Sequence, residues 1–499
     1  MHRFAQQTMR IFHCARLLTA CLGSLLIASC ISHARPSVAG AASEPWRYEV
    51  SEIDGGAVVS VLATFPPGTA TELVVQPGAG AFVAGLELAP SSGDQAGEWL
   101  SARADGGGEG DRPVHVGDAW GVTACASGCR VRYRFLLRDA AVRTANVDVA
   151  AAFGDMYEAP IATWLIHPAV APEGARFKLH VTTSPGVAFV TGVFRGNDGT
   201  YEADAAYLPV APYSAFGAMR ISHPVTVPGV DLELAIAAQL APSSDAVIER
   251  WLASASRATS RYFGAFPVSR SLVVVAPVDG VDVRRGHALG DGGASIVVEV
   301  GRDVTEATLR DDWILPHELI HLGFPSVSRR HHWMEEGVAV YVQPIVRARA
   351  GDERPEAAWR ELALGLPRGQ PRDRDRGLDD TTNWSRTYWG GALFCLLADL
   401  GIRERTGNRL SLDDALRGIV HEGGNIATEW DFMRVLDAGD RAVGVPVLRE
   451  LYAQMGDKPV HVDLETVYRK LGIVVKGEDV TFDDSAPLAK VRRAIMGGT

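Results

Sequence analysis

The sequence predicts a multidomain α+β protein, with an antiparallel β domain first, a mixed α/β segment next and a largely helical region last. Three observations carry this. The chain has 499 residues, too many for one small core, so two or three domains are expected. From Trp46 to about Leu240, apolar residues come in short runs divided by Gly, Pro and Asp clusters, the pattern of a sandwich-like set of strands. At Ser243-Ser244 the apolar period changes, and helical spacing dominates to the end of the chain.

The strand runs are Ala57–Ala63, Glu72–Val75, Arg130–Leu137, Phe177–Thr182, Ala188–Phe194 and Leu232–Ala238. Ser91–Asp111 has no periodicity and reads as a mobile surface loop. After Ser244, the residues Ile248, Trp251, Leu252, Ala255, Ala258 and Tyr262 share one helical face, and Gly264 is placed to cap that helix. Ser271–Ala276 and Ala294–Val300 read as buried strands, the second preceded by the turn Gly290-Asp-Gly-Gly293. Helices are expected over Glu336–Arg349, Gly391–Arg405, Leu412–Ile419, Glu429–Leu436, Pro446–Met455 and Leu464–Leu471. Ser411 and Thr428 are expected as N-caps, with Gly407 as a stop. About 483–499 reads as a loosely held tail. The resulting division is 1–30 signal, 31–45 tether, 46–240 β domain, 241–436 mixed α/β and helical domain and 437–499 helical extension.

Hydrophobic content of 47%, charged content of 22% and a net charge of −11 describe an ordinary globular composition. No basic stripe is present, so nucleic acid is excluded as the main partner. Arg3, Arg10 and Arg16 precede the apolar run Leu17–Ile27, and no acidic residue comes before Glu44. That is the charge order of a secretory signal. Ile27-Ala28-Ser29-Cys30 matches a lipobox, which predicts a lipid anchor at Cys30 in the bacterial cell envelope or periplasm. Cleavage after Ser32-His33-Ala34, giving a secreted protein, is the alternative. Outside the signal, Cys125 and Cys129 are spaced to close a small disulfide loop in an oxidising compartment. Cys395 sits in an apolar helical run and reads as a buried small hydrophobe.

The chemistry-bearing stretch is His317-Glu318-Leu319-Ile320-His321, followed by Trp333-Met334-Glu335-Glu336-Gly337. On a helix, His317 and His321 lie on one face and present two imidazoles to one point. Glu318 stands beside them, where a carboxylate can take a proton from a metal-bound water. Leu315, Leu319, Ile320 and Leu322 give the helix an apolar side to bury, and Pro316 suits its first turn. A catalytic zinc needs three protein ligands and an open position. Glu336, on the next helix, is the candidate for the third. Glu335 is the rival, about 100° away around that helix, and His331 and His332 lie within reach in the connection.

These residues, with Gly337-Val-Ala-Val-Tyr341, resemble the gluzincin pattern, an HExxH helix followed by a W-x-x-E-G helix. Tyr388-Trp-Gly-Gly391, the run to Asp399 and Arg403, and Ser411-Leu-Asp-Asp414 resemble the glycyl aminopeptidase family and, more distantly, the alanyl aminopeptidase family. The match spans roughly 240–436. It implies a thermolysin-like catalytic domain, one Zn2+ per chain held by His317, His321 and Glu336, Glu318 as general base, and Tyr388 as the hydroxyl that hydrogen-bonds the oxyanion. It also implies hydrolysis of peptide or protein substrates. The alternatives are a zinc hydrolase of a non-peptide amide or epoxide on the same scaffold, and a non-catalytic envelope binding protein. Three features depart from the pattern. Only fourteen residues (322–335) separate His321 from Glu336. Gly390 replaces the Lys of Y-x-K-G. Gly292-Gly293-Ala294-Ser295-Ile296 occupies the place of a glycine-rich strand whose Glu binds the substrate amine, and Asp291 or Glu299 is left to substitute for it.

Overall fold

The computed structural model describes residues 44–497 apart from 70, 94–95, 104–111, 225–226 and 382. The signal segment, Cys30 and most of the tether lie outside them, as does much of the Ser91–Asp111 loop. A short strand, Leu100–Ser101, occupies part of that loop.

The first layer is a seven-stranded sheet ordered Tyr201–Asp204, Arg176–Thr182, Trp46–Ile53, Val58–Phe65, Cys129–Phe135, Val83–Pro90 and Leu100–Ser101. Alternation drives it: every second residue of Trp46–Ile53 is buried, so one face packs inward and the other meets water. One pair departs from the expected antiparallel pattern, since Trp46–Ile53 runs parallel to Arg176–Thr182. Two four-stranded sheets share its hydrophobic core. The Tyr133 hydroxyl locks one of the crossings, donating to the Trp164 carbonyl and accepting from the Ile166 N–H, each at 2.8 Å. Cys125 and Cys129 are disulfide-bonded, as their spacing predicts, and Cys395 is free and buried.

A separate five-stranded sheet positions the site. Its order is Met219–Ser222, Asp231–Ala237, Arg270–Val278, Ser295–Gly301 and Val283–Leu289, with the three central strands parallel and both edges antiparallel. The strand at Asp231–Ala237 lies between Met219–Ser222, to which it is antiparallel, and Arg270–Val278, to which it is parallel. Asp245–Phe263 is the crossover helix between these two parallel strands. It ends at Gly264 with φ +82°, a conformation glycine adopts without steric cost.

Helices His332–Ala350 and Trp384–Thr406 form the centre of the last region. Ser411 caps Leu412–His421 through a capping box with Asp414. Thr428 does not cap the next helix. That helix begins at Phe432, and Asp431 accepts from the N–H groups of Met433 and Arg434. The C-terminal segment is neither wholly helical nor loosely held. Ile473–Lys476 and Asp479–Phe482 form a hairpin, and Ala489–Ile495 is a helix. Arg349 clamps that helix by donating twice to the Ile495 carbonyl, at 2.9 and 2.7 Å, while Ile495 is fully buried.

Candidate metal centre

The HExxH helix runs Ile314–His321. Asp312 fixes its start, accepting from the Ile314 and Leu315 N–H groups at 2.9 and 3.0 Å, and so satisfies donors that a helix N-terminus leaves open. Leu315, Leu319 and Leu322 anchor its apolar side among residues of the five-stranded sheet. The opposite side carries His317 and His321, whose Nε2 atoms are 3.2 Å apart.

Glu336 comes to these two nitrogens from His332–Ala350. Its Oε2 lies 3.4 Å from His317 Nε2 and 3.7 Å from His321 Nε2, and the three groups can offer one ligand atom each within 4.8 Å. This Oε2 is buried and has no hydrogen-bond partner. A buried carboxylate oxygen without a partner is costly, so the arrangement asks for a cation. Burial alone would raise the Glu336 carboxyl, but His321 and His317 hold it at about 2. Burial pushes His321 down to about 4, leaving a neutral imidazole of the kind a metal requires.

Glu335 is turned away. Its Oε1 accepts from the Val327 N–H at 2.9 Å, and its Oε2 meets His332 Nδ1 at 2.5 Å. His331 is also occupied elsewhere, bonded to Asp379 at 2.9 Å and stacked on Phe432 at 4.1 Å. His332 does reach the site. Its Nε2 lies 3.4 Å from Glu336 Oε1, so it holds the oxygen that the two histidines do not face.

Glu318 is buried, and burial pushes it up to about 7. One wall beside it is the edge strand Val283–Leu289: a Cβ at Gly286 would fall 2.6 Å from Glu318 Cγ, and the Ala288 backbone bonds its carboxylate. Tyr388 enters from Trp384–Thr406. Its phenol is raised by burial, then by the charges of Glu336, which it hydrogen-bonds, and Glu318. It therefore stays protonated and remains a donor. The five residues singled out in the sequence thus converge.

The edge strand corrects one expectation. Gly292–Ile296 does not border the site: Ile296 is buried in the sheet core, and Ser295 Oγ accepts from the Tyr213 N–H and donates to the Leu289 carbonyl. The strand beside Glu318 is Val283–Leu289, one strand earlier. Asp291 is pushed up to about 7 by burial, yet it sits in the turn with Ser326 and Glu429 as neighbours. The carboxylate that sequence reasoning missed is Glu158, on the strand Met156–Pro160. It is fully buried, and both its oxygens lack partners. Burial, then Asp148, raises it well above the usual range. Tyr213 is close enough to feel Glu158, Asp148 and Glu318 together. The one signal for Glu158 was a lone acidic residue within Met156-Tyr-Glu-Ala-Pro160, five residues that are all buried.

No protein-family model and no curated protein sequence matches the chain. Solved structures do. An aminopeptidase N family protein from Idiomarina loihiensis is 15% identical with a TM-score of 0.63, covering 86% of this chain and 79% of its own. An M1 zinc metallopeptidase from Deinococcus radiodurans is 15% identical with a TM-score of 0.51, covering 84% of this chain and 94% of its own. A mutant of the Deinococcus enzyme, solved with a Tyr-Ser-Ala substrate, is 14% identical with the same TM-score and covers 84% of this chain and 95% of its own. The chain therefore has the mixed α+β, multidomain fold of M1 zinc metallopeptidases.

Proposed function

We propose that this protein is a zinc-dependent peptidase in which His317, His321 and Glu336 hold the metal. The observation that carries the reading is the unpartnered Glu336 Oε2 facing two imidazole nitrogens. A tetrahedral zinc with bonds of about 2.0–2.1 Å sets its ligand atoms about 3.4 Å apart, and the separations here are 3.2, 3.4 and 3.7 Å. The donor set, two imidazoles and one carboxylate, is that of hydrolytic zinc.

Bound there, zinc supplies Lewis acidity to a water and to the scissile carbonyl. Glu318, held near neutrality by burial, takes the proton from the attacking water and returns it to the leaving amine. Tyr388 donates to the carbonyl oxygen as negative charge builds on it. The edge strand Val283–Leu289 offers backbone groups along which an extended peptide can pair.

Release of N-terminal residues is the favoured mode. The buried, unpartnered carboxylate of Glu158 suits a substrate ammonium, whose arrival would satisfy a group left without a partner. Solved M1 neighbours are described with a peptide and with free L-arginine bound, which accords with this reading. The signal-like residues 1–30 support export, with Cys30 as the point of lipid attachment, and radiolabelled palmitate incorporation lost in Cys30→Ala tests that assignment. The activity test is cleavage of paired peptides with free and acetylated N-termini by the full chain. Trimming of the free form alone supports the reading. Internal cuts in both forms would replace it with an endopeptidase, and no cleavage by a zinc-loaded protein would point to an amide or epoxide substrate.

A further inference from the structure

Among the described residues, two tryptophans are exposed, and both touch the site. Trp384 is 64% and Trp313 45% exposed, whereas Trp46, Trp120, Trp164, Trp333 and Trp359 are fully buried. The Trp384 ring stacks on Tyr388 with centroids 4.1 Å apart and planes 25° apart. The Trp313 ring meets His317 edge-on at 6.0 Å and 86°. Each indole lies one helical turn before the residue it touches, Trp384 before Tyr388 and Trp313 before His317, so each shares that residue's helix face.

Both are rigidly presented. Asn383 caps the helix that begins at Trp384, its side chain accepting from the Arg386 N–H at 3.2 Å. Asp312, the neighbour of Trp313, is fixed by the two helix N–H groups it accepts from. Large aromatic rings gain most from leaving water, and exposed apolar surface against a reaction centre marks a place where a ligand supplies the missing contacts.

We propose that Trp313 and Trp384 form the side-chain recognition surface of this site, selecting peptides with an aromatic or large aliphatic residue next to the cleaved bond. Indole faces pack against such side chains by offset or edge contact, and the stack on Tyr388 places one of them beside the reacting carbonyl. The inference rests on the peptidase reading for its substrate, and its test separates the two.

The experiment uses the full zinc-loaded chain and a competing pair of peptides that differ only in Phe or Ala next to the cleaved bond. Wild type is expected to favour the Phe peptide about tenfold or more in kcat/KM. Trp384→Ala and Trp313→Ala should each lower that ratio, chiefly through KM for the Phe peptide, while Trp384→Phe and Trp313→Phe restore most of it. Zinc stoichiometry confirms that the variants are folded. A Phe:Ala ratio unchanged in both Ala variants overturns the proposal. If no peptide is cleaved at all, the peptidase reading has failed, and calorimetric binding of the same two peptides to zinc-loaded Glu318→Gln decides the recognition claim. Preferential binding of the Phe peptide, lost when either Trp is also replaced by Ala, upholds it. Equal binding refutes it.

Discussion

Gly337 and Gly391 meet backbone to backbone. A Cβ on Gly337 would lie 2.4 Å from the Gly391 Cα, and one on Gly391 would lie 2.0 Å from the Trp333 carbonyl oxygen. The contact joins the helix of Glu336 to the helix of Tyr388 one residue after Glu336 and three residues after Tyr388. It is what brings the phenol into hydrogen-bonding range of the carboxylate. Gly391→Ala should therefore cost about 1–3 kcal/mol of stability through overpacking and should also lower kcat, because the helices must part. Denaturant midpoints and single-substrate kinetics read the two effects. A variant as stable and active as wild type would show the close crossing to be dispensable.

Tyr388→Phe removes the donor and leaves the ring stacked beneath Trp384. A fall in kcat of about 10²–10³-fold with little change in KM is expected of a lost oxyanion donor. An unchanged kcat would reduce Tyr388 to a packing role.

His332 touches Glu336 Oε1 at 3.4 Å and Glu335 at 2.5 Å. Through Glu335, which accepts from the Val327 N–H, it ties Glu336 to the short connection between the two helices. Groups that orient a ligand typically contribute 10–100-fold to metal affinity. His332→Ala should weaken zinc binding by about that factor, as read by competition with a chelator. Unaltered affinity would mean that the contact is incidental.

Glu158 carries a testable pH signature. Its folded carboxyl is raised by burial, so the folded state holds the proton more tightly than the unfolded chain. Stability from this group is present at low pH and is lost as pH climbs from the ordinary value of 4.5 toward the raised one. Glu158→Gln should match wild type in melting temperature at pH 4 and exceed it at pH 8, while losing activity on free amino termini. A melting difference that does not widen with pH would contradict the buried-charge account.

Much of this was legible in the chain because local rules decide it. His317 and His321 sit four apart on a capped helix, and helix geometry alone puts their nitrogens together. The angle between adjacent helical residues let only one of Glu335 and Glu336 face the metal, its place before Gly337 in the W-x-x-E-G pattern favoured Glu336, and the Val327 contact shows where Glu335 went. What was not legible depended on pairing between distant segments. Gly286 and Gly290–Gly293 are both glycine-bearing stretches before the HExxH helix, and only strand register reveals that the first borders Glu318. The strand at Asp231–Ala237 looked like its predecessors in sequence, yet it pairs in parallel with Arg270–Val278 as well as antiparallel with Met219–Ser222. Glu158 lies 160 positions from Glu318, and a single acid in a short strand carries no sign of its distant partners. The Ile473–Phe482 hairpin was hidden in the same way, since Val474 and Val475 are too few to set a period.

The most direct test of the account is the metal content of the purified full chain, measured before and after chelation, with peptide cleavage followed in parallel. One zinc per chain, activity abolished by chelation and restored by one equivalent of zinc, and a Glu318→Gln variant that keeps the zinc without turnover are the predicted results. A chain that binds no zinc with His317, His321 and Glu336 intact, or a Glu318→Gln variant that cleaves at the wild-type rate, would contradict it.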